Sequence, residues 1–185
     1  MGRNECLCCP SGTEFHSHAR QERPNECGLA CLVMVAAHHG IEIGFPVLRR
    51  LCSLPPKGAR LKALIGAAAR IGLDARALMG CPEHFERLAL PAILHWDEVH
   101  FVVLAALEQD ASGLPLFRIH DPARGPRSFG EAELSAHFTG AMLELTPADR
   151  PMRVPAEQPA TPLPDSKVPR RKHLAFHSPT QPCGL

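Results

Sequence analysis

The chain has 185 residues, with 20 Lys and Arg against 19 Asp and Glu, one Trp and no Tyr. Nucleic-acid-binding proteins concentrate basic and aromatic side chains on one surface, so this composition argues against a nucleic-acid partner. An apolar run of roughly 18 residues, as a membrane helix needs, is absent, and so is a signal peptide, so we expect a cytoplasmic chain with reduced thiols.

A buried helix is the first regular element that the sequence predicts. Residues 1–19 are polar and are expected to form a flexible N-terminal extension. The domain is expected to begin at residue 20, and the nearly continuous apolar run over residues 26–39 predicts a core helix. Asn25 is a favoured N-cap residue, which places Cys27 in the first turn. Free backbone amides and the helix dipole favour a thiolate there.

Two more helices and a series of strands follow along the chain. A short helix is predicted near residues 46–52, and apolar residues recur at helical spacing over residues 61–71. The remaining predictions are strands at 73–78, 91–96, 100–107, 114–120 and 141–146, a turn at Gly125-Pro126 and a short helix at 131–137. The second and third strands flank a short turn at Asp97-Glu98 and are therefore expected to form a hairpin.

Helices that precede a run of strands are typical of an α+β fold. We expect N-terminal helices packed on an antiparallel sheet over residues 20–147. Residues 148–185 are rich in proline and lack apolar periodicity, so we expect a disordered tail.

Four polar residues stand at positions that suit nucleophilic catalysis. Cys27 opens the first helix, His100 heads an apolar strand and Asp121 ends another. An imidazole can take the thiol proton, and a carboxylate can hold the ring in one tautomer. Gln21, six residues before Cys27, can join the Cys27 amide in binding an oxyanion. Each residue alone is more often structural, but their order together favours a cysteine peptidase.

The chain resembles the C39 peptidases, which process bacteriocins at the N-terminus of certain ABC exporters, and looks most like the colicin V type. The resemblance runs from Gln21 to about Pro147. It is carried by Gln21-x5-Cys27-Gly-Leu-Ala-Cys, Ala67-Ala68-x-x-x-Gly72-Leu73, Pro91-Ala-Ile-Leu-His-Trp96, His100-Phe-Val-Val-Leu, Asp121-Pro-Ala-x-Gly125 and Thr139-Gly140.

This resemblance implies a papain-like fold and roles for the four residues. Cys27 would be the nucleophile, His100 the general base and acid, Asp121 the residue that orients His100, and Gln21 an oxyanion donor. The implied substrate is the leader of a secreted peptide, cut after a double glycine, and no cofactor or metal is implied. The implied partner is the membrane and ATPase component of an ABC exporter, which would bring the chain to the cytoplasmic face of the inner membrane. No P-loop motif is present, so ATP binding is not carried over.

Three alternatives remain at this point. The same fold can serve as a leader-docking module without catalysis, although such a module typically lacks the Cys or His that this chain keeps. A papain-like acyl-transfer enzyme would share the acyl-enzyme intermediate. A metal-binding protein is disfavoured because, among the candidate ligands, only Cys6 and Cys9 match a C-x2-C spacing, and the two histidines do not match H-x3-H spacing. Those ligands are Cys6, Cys8, Cys9, His16 and His18.

Overall fold

A helical layer and an antiparallel sheet form the part of the chain that the computed structural model describes, which is residue 15, residues 18–52 and residues 58–149. This architecture confirms the predicted α+β fold. Almost all of the predicted tail and most of the predicted extension lie outside the described residues, so both stay predictions. Phe15 and Ala19, which belong to that extension, are half-buried and pack against the core.

Four α-helices lie close to their predicted positions. They are α1 Cys27–His38, α2 Phe45–Leu51, α3 Leu61–Arg70 and α4 Glu131–His137. The N-cap of α1 is Glu26, one residue later than the predicted Asn25, and its side chain forms no capping hydrogen bond with the helix. A 3-10 helix over Pro82–Arg87 was not predicted, because a single buried residue, Phe85, anchors it and no apolar period marks it.

The sheet has six strands, and each neighbouring pair is antiparallel. In chain order the strands are β1 Leu73–Met79, β2 Ala92–Trp96, β3 His100–Gln109, β4 Pro115–Asp121, β5 Gly125–Gly130 and β6 Phe138–Pro147. Their spatial order is β1-β6-β2-β3-β4-β5, so the last strand lies between the first and the second. The predicted hairpin is confirmed, with Trp96 paired to His100.

The fifth strand corrects one prediction. Gly125-Pro126, expected to be a turn, begins an edge strand in which Gly125 pairs with Asp121 and Phe129 pairs with Phe117. An edge strand tolerates proline because one side of its backbone has no partner strand. Gly125 and Phe129 are the buried residues of this strand, and only Phe129 has a side chain. An alternating apolar pattern therefore could not predict the strand.

The two faces of the sheet carry separate apolar clusters, since side chains alternate along each strand. One cluster joins the sheet to α1, α2 and α3, and its sheet residues are Leu73, Ile93, Phe101, Val103, Leu143 and Leu145. The other contains Trp96, Phe117 and Met142, covered by Phe85 and by Leu134 of α4. Among the described residues, no helix combines the length and the apolar character that crossing a membrane requires.

The turn that leads into His100 holds two non-glycine residues in the left-handed region. Asp97 has a φ of 47° and Glu98 a φ of 60°. Asp97 is fixed there by His137, whose carbonyl accepts the Asp97 amide at 2.9 Å and whose Nδ1 lies 2.7 Å from Asp97 Oδ1. The Glu98 side chain is exposed, so burial of this side chain does not offset the strain of its left-handed backbone.

Glu98→Gly is therefore expected to raise the free energy of unfolding by about 0.5–1 kcal/mol, measured by urea denaturation, because glycine removes the left-handed penalty. The matched control is Val99→Gly. Val99 is 78% exposed and does not have a positive φ. That substitution adds only unfolded-state entropy and should lower the free energy of unfolding. Equal destabilisation by both variants would contradict the argument.

Candidate active site

A thiol, an imidazole and a carboxylate form a series where α1 meets the sheet. Cys27 is the first residue of α1 and is 4% exposed. His100 begins β3 and Asp121 ends β4, two antiparallel neighbours, so both lie at the same end of the sheet. The Cys27 thiol lies close enough to His100 to raise the pKa of its imidazole, and His100 Nε2 donates to Asp121 Oδ1 at 2.8 Å. The structure thus brings together three of the four predicted site residues.

Asp121 is held as a buried carboxylate by donors on two sides. Its Oδ1 accepts the His100 hydrogen bond and also the backbone amides of Ala123 at 2.7 Å and Arg124 at 3.3 Å. Burial raises the pKa of Asp121, but the hydrogen bonds from His100 and Ala123 outweigh it and the net pKa lies below the usual value. An ionised, fixed carboxylate can orient the imidazole ring.

His100 is predominantly protonated at neutral pH. Burial lowers the pKa of His100, but hydrogen bonds to Asp121 and Cys27 raise it more, to about 9. Because Nε2 is directed at Asp121, Nδ1 is the ring nitrogen left to exchange a proton with the Cys27 thiol. An imidazolium beside a thiol favours the thiolate, which is the nucleophilic form.

Gln21 is anchored beside this series, next to Asp121. Its backbone amide donates to the carbonyl of Pro122 at 3.1 Å. Its side-chain Nε2 makes a long hydrogen bond of 3.4 Å to the Pro24 carbonyl, and its Oε1 is buried with no partner in the structure as described. A primary amide has two N–H donors, so one of them remains available to a ligand.

Three other cysteine and histidine side chains have different environments. Cys31 is fully buried, and burial raises the pKa of its thiol well above the usual value. His95 Nδ1 lies 2.8 Å from Thr139 Oγ1, and His120 packs edge-on against Phe15.

No metal site is found in the described part of the chain, where no three His, Cys, Asp or Glu side chains are grouped to hold an ion. Of the candidate ligands near the N-terminus, only His18 falls within the described residues.

The sequence analysis missed an ion pair directly before Cys27. Glu26 is fully buried, and both of its carboxylate oxygens accept hydrogen bonds from Arg49, Oε1 from Nε at 2.8 Å and Oε2 from Nη2 at 2.9 Å. Arg49 Nη2 also pairs with Glu22. The one available signal was an acidic residue inside an apolar run, which predicts a buried partner but does not identify it.

Comparison with known sequences gives a consistent result. The profile of the peptidase C39 family matches residues 16–150. The chain is 42% identical over 127 residues to a probable microcin-H47 secretion/processing ATP-binding protein, MchF, of Escherichia coli, and 41% identical to the colicin V secretion/processing ATP-binding protein CvaB of the same species. Each match covers 69% of this chain and 18% of the relative, so the chain spans under a fifth of their length.

Solved structures share the fold. A double glycine motif protease from an AMS/PCAT transporter, crystallised in complex with the leader peptide, aligns with a TM-score of 0.66 and 29% identity, covering 71% of this chain and 91% of that one. The peptidase domain of Streptococcus ComA, a bi-functional ABC transporter, aligns with a TM-score of 0.63 over 70% of this chain and 96% of that one. At 23% identity, the second likeness shows the fold alone.

Proposed function

This chain belongs to the peptidase C39 family, and from that premise we propose that it is a cysteine endopeptidase that cleaves the leader of a secreted peptide after a double glycine. The observation that carries the proposal is the series of Cys27, His100 and Asp121, in which the thiol lies beside an imidazole that hydrogen-bonds to a carboxylate. A buried thiol next to a protonated imidazole, itself fixed by a carboxylate, is the arrangement that acyl transfer to sulfur requires.

The proposed reaction has two steps that share one imidazole. The Cys27 thiolate attacks the carbonyl carbon of the second glycine, and the carbonyl electron pair moves onto oxygen. The Cys27 amide and Gln21 Nε2 donate to this oxyanion. His100 gives its proton to the amine nitrogen as the C–N bond breaks, leaving a thioester on Cys27. Water then attacks the thioester while His100 takes one of its protons. The C–S bond breaks, which regenerates the Cys27 thiolate, and the leader is released as a carboxylic acid that ionises to the carboxylate.

A double glycine suits such a site because of its small size. Without Cβ atoms the scissile segment can enter a narrow cleft that larger residues would block. Upstream residues of the leader would bind as an amphipathic helix in an apolar groove. The leader peptide bound to the 29% identical protease supports this substrate class.

The proposed partner is the membrane and ATPase component of an exporter. The two Escherichia coli relatives are secretion/processing ATP-binding proteins, which supports an exporter context for this chain. The cytoplasmic face of the inner membrane is the corresponding proposed location.

A synthetic peptide with a double-glycine leader and a short core tests the proposal. Mass spectrometry should show cleavage after the second glycine, with a free carboxylate on the leader fragment and no cleavage when that glycine is replaced by valine. Binding without cleavage would support the docking alternative. A leader fragment joined to an added amine would support the acyl-transfer alternative, because both reactions use the same thioester.

Gln21→Ala is expected to lower kcat by about 100-fold or more with little change in KM, because an oxyanion donor acts in the transition state and not in substrate binding. Gln21→Glu should be at least as damaging, since a carboxylate repels the developing oxyanion. Steady-state kinetics on the leader peptide measures both variants. A raised KM with normal kcat would instead make Gln21 a leader-binding residue.

The pH profile should depend on Asp121. Leaving-group protonation needs the imidazolium, so kcat/KM should fall as pH rises through about 9, where His100 loses its proton. Asp121→Asn removes a charge that raises this pKa, so the alkaline limb should move to lower pH by roughly one unit or more. The matched control is Asp110→Asn, because Asp110 also accepts two backbone amides but lies in the loop between β3 and β4. An unmoved limb in Asp121→Asn would contradict the assignment.

A further inference from the structure

One arginine on α2 contacts the segment that runs from Gln21 to Cys27 near both of its ends. We infer that Arg49 is a positioning residue of the active site, which fixes this 21–27 segment so that the Gln21 amide and the Cys27 amide converge on one oxyanion. The inference rests on the proposed function, since it assigns a role within the same site.

The contacts of Arg49 reach both neighbours of the proposed oxyanion donors. Glu22 follows Gln21, and Glu26 precedes Cys27. Arg49 grips Glu26 through two parallel hydrogen bonds of 2.8 and 2.9 Å, and its Nη2 also pairs with Glu22. A bidentate guanidinium–carboxylate pair fixes orientation as well as distance, which a single contact does not.

Arg49 is itself held firmly. Its guanidinium lies 5.5 Å from the centre of the Phe45 ring, and its side chain is 24% exposed. The other cation near the pair, Arg23, approaches Glu26 only to 3.8 Å and is 66% exposed. The hydrogen bonds from Arg49 lower the pKa of Glu26 despite its burial, so the pair is ionic at neutral pH.

Two consequences connect this pair to catalysis. The N-cap residue Glu26 makes no capping hydrogen bond to α1, and its carboxylate pairs with Arg49 instead, so the Glu26–Arg49 pair helps to set the course of the chain into Cys27. In addition, an unpaired buried carboxylate next to Cys27 would repel the thiolate, and Arg49 neutralises it. Loss of Arg49 should therefore weaken the transition state more than it weakens leader binding.

Arg49→Met and Arg49→Lys test the inference, each alone and in a Gln21→Ala background. Arg76→Met is the matched control, since Arg76 also grips a buried carboxylate, Glu144, at 2.7 and 2.8 Å, between β1 and β6. Kinetics are measured on the leader peptide and on p-nitrophenyl acetate, a small ester that needs Cys27 and the oxyanion donors but no leader contact, with Cys27→Ala as the blank. Thermal melts show which variants are folded.

We expect Arg49→Met to lower kcat by about tenfold or more with KM nearly unchanged, as a misplaced catalytic group does. In the Gln21→Ala background the same substitution should lower kcat by only about threefold or less, because both substitutions disrupt the same contact with the oxyanion. Arg76→Met should lose a comparable amount of thermal stability while its kcat stays within about twofold of wild type. If Arg49→Met does not fold, Arg49→Lys, which keeps the charge but loses the two-pronged grip, should show the same pattern in weaker form.

Equal kcat losses in Arg49 and Arg76 variants would overturn the inference, and so would full additivity with Gln21→Ala. The ester separates this result from the proposed function. A wild type that turns over the ester but not the leader would refute the leader specificity, and the ester rates would still decide the role of Arg49. A wild type without Cys27-dependent turnover of either substrate would refute both.

Discussion

Cys27→Ala is expected to lower the rate of leader cleavage by about 10⁴-fold or more, because no other group can form the thioester. The fold should survive, since one buried sulfur atom contributes only a small part of the free energy of unfolding. Mass spectrometry of the leader peptide and a thermal melt of the same sample measure the two effects.

Cys31→Ala is the matched control for this substitution. Cys31 lies one helical turn further along α1 and is fully buried. Its loss should cost about 1–2 kcal/mol of stability through the cavity that it leaves, with most of the activity retained. A folded but inactive Cys31→Ala, together with an active Cys27→Ala, would contradict the assignment of the nucleophile.

His100→Ala is expected to abolish cleavage to a similar extent, by about 10⁴-fold or more, and to remove the reactivity of Cys27. In the wild type, iodoacetamide at about pH 6–7 should alkylate Cys27 faster than Cys81, although Cys81 is exposed. A hydrogen bond to Glu83 raises the pKa of the Cys81 thiol, which keeps it protonated at that pH. Peptide mapping after timed labelling gives both rates.

The same labelling experiment contains its own control. Glu83→Gln should speed the alkylation of Cys81 without changing that of Cys27. His100→Ala should reverse the order of the two cysteines, because the imidazolium that favours the Cys27 thiolate is gone. Unchanged labelling of Cys27 in His100→Ala would mean that the helix start alone activates the thiol.

Local patterns in the sequence predicted most of the fold. The apolar run that becomes α1, the helical spacing of α3 and the turn at Asp97-Glu98 are each encoded within a few neighbouring residues, and the structure agrees within about two residues. The elements that were missed depend on distant partners. β5 exists because it pairs with β4, and the 3-10 helix because Phe85 packs on Phe117 and Phe138.

The candidate site divides in the same way. Cys27, His100 and Asp121 could be predicted because each stands at the start of a helix or at the end of a strand, where functional side chains are common, and because their order matches the family pattern. The catalytic roles of all four residues stay predictions. The Glu26–Arg49 pair was missed because 22 residues and a second helix separate its members, so no local period connects them.

The position of β6 in the sheet has a consequence for biosynthesis. β1 pairs with β6 and, within the described sheet, with no other strand, and their register joins Leu73 to Pro147. As the ribosome releases the chain from its N-terminus, β1 waits without a partner until β6 emerges, and such long-range pairing is slow to form. β6 also supplies Leu143 and Leu145 to the core beneath α1. The core beneath Cys27 is therefore complete only when β6 has been made, so the proposed peptidase activity would begin only after that strand has joined the sheet.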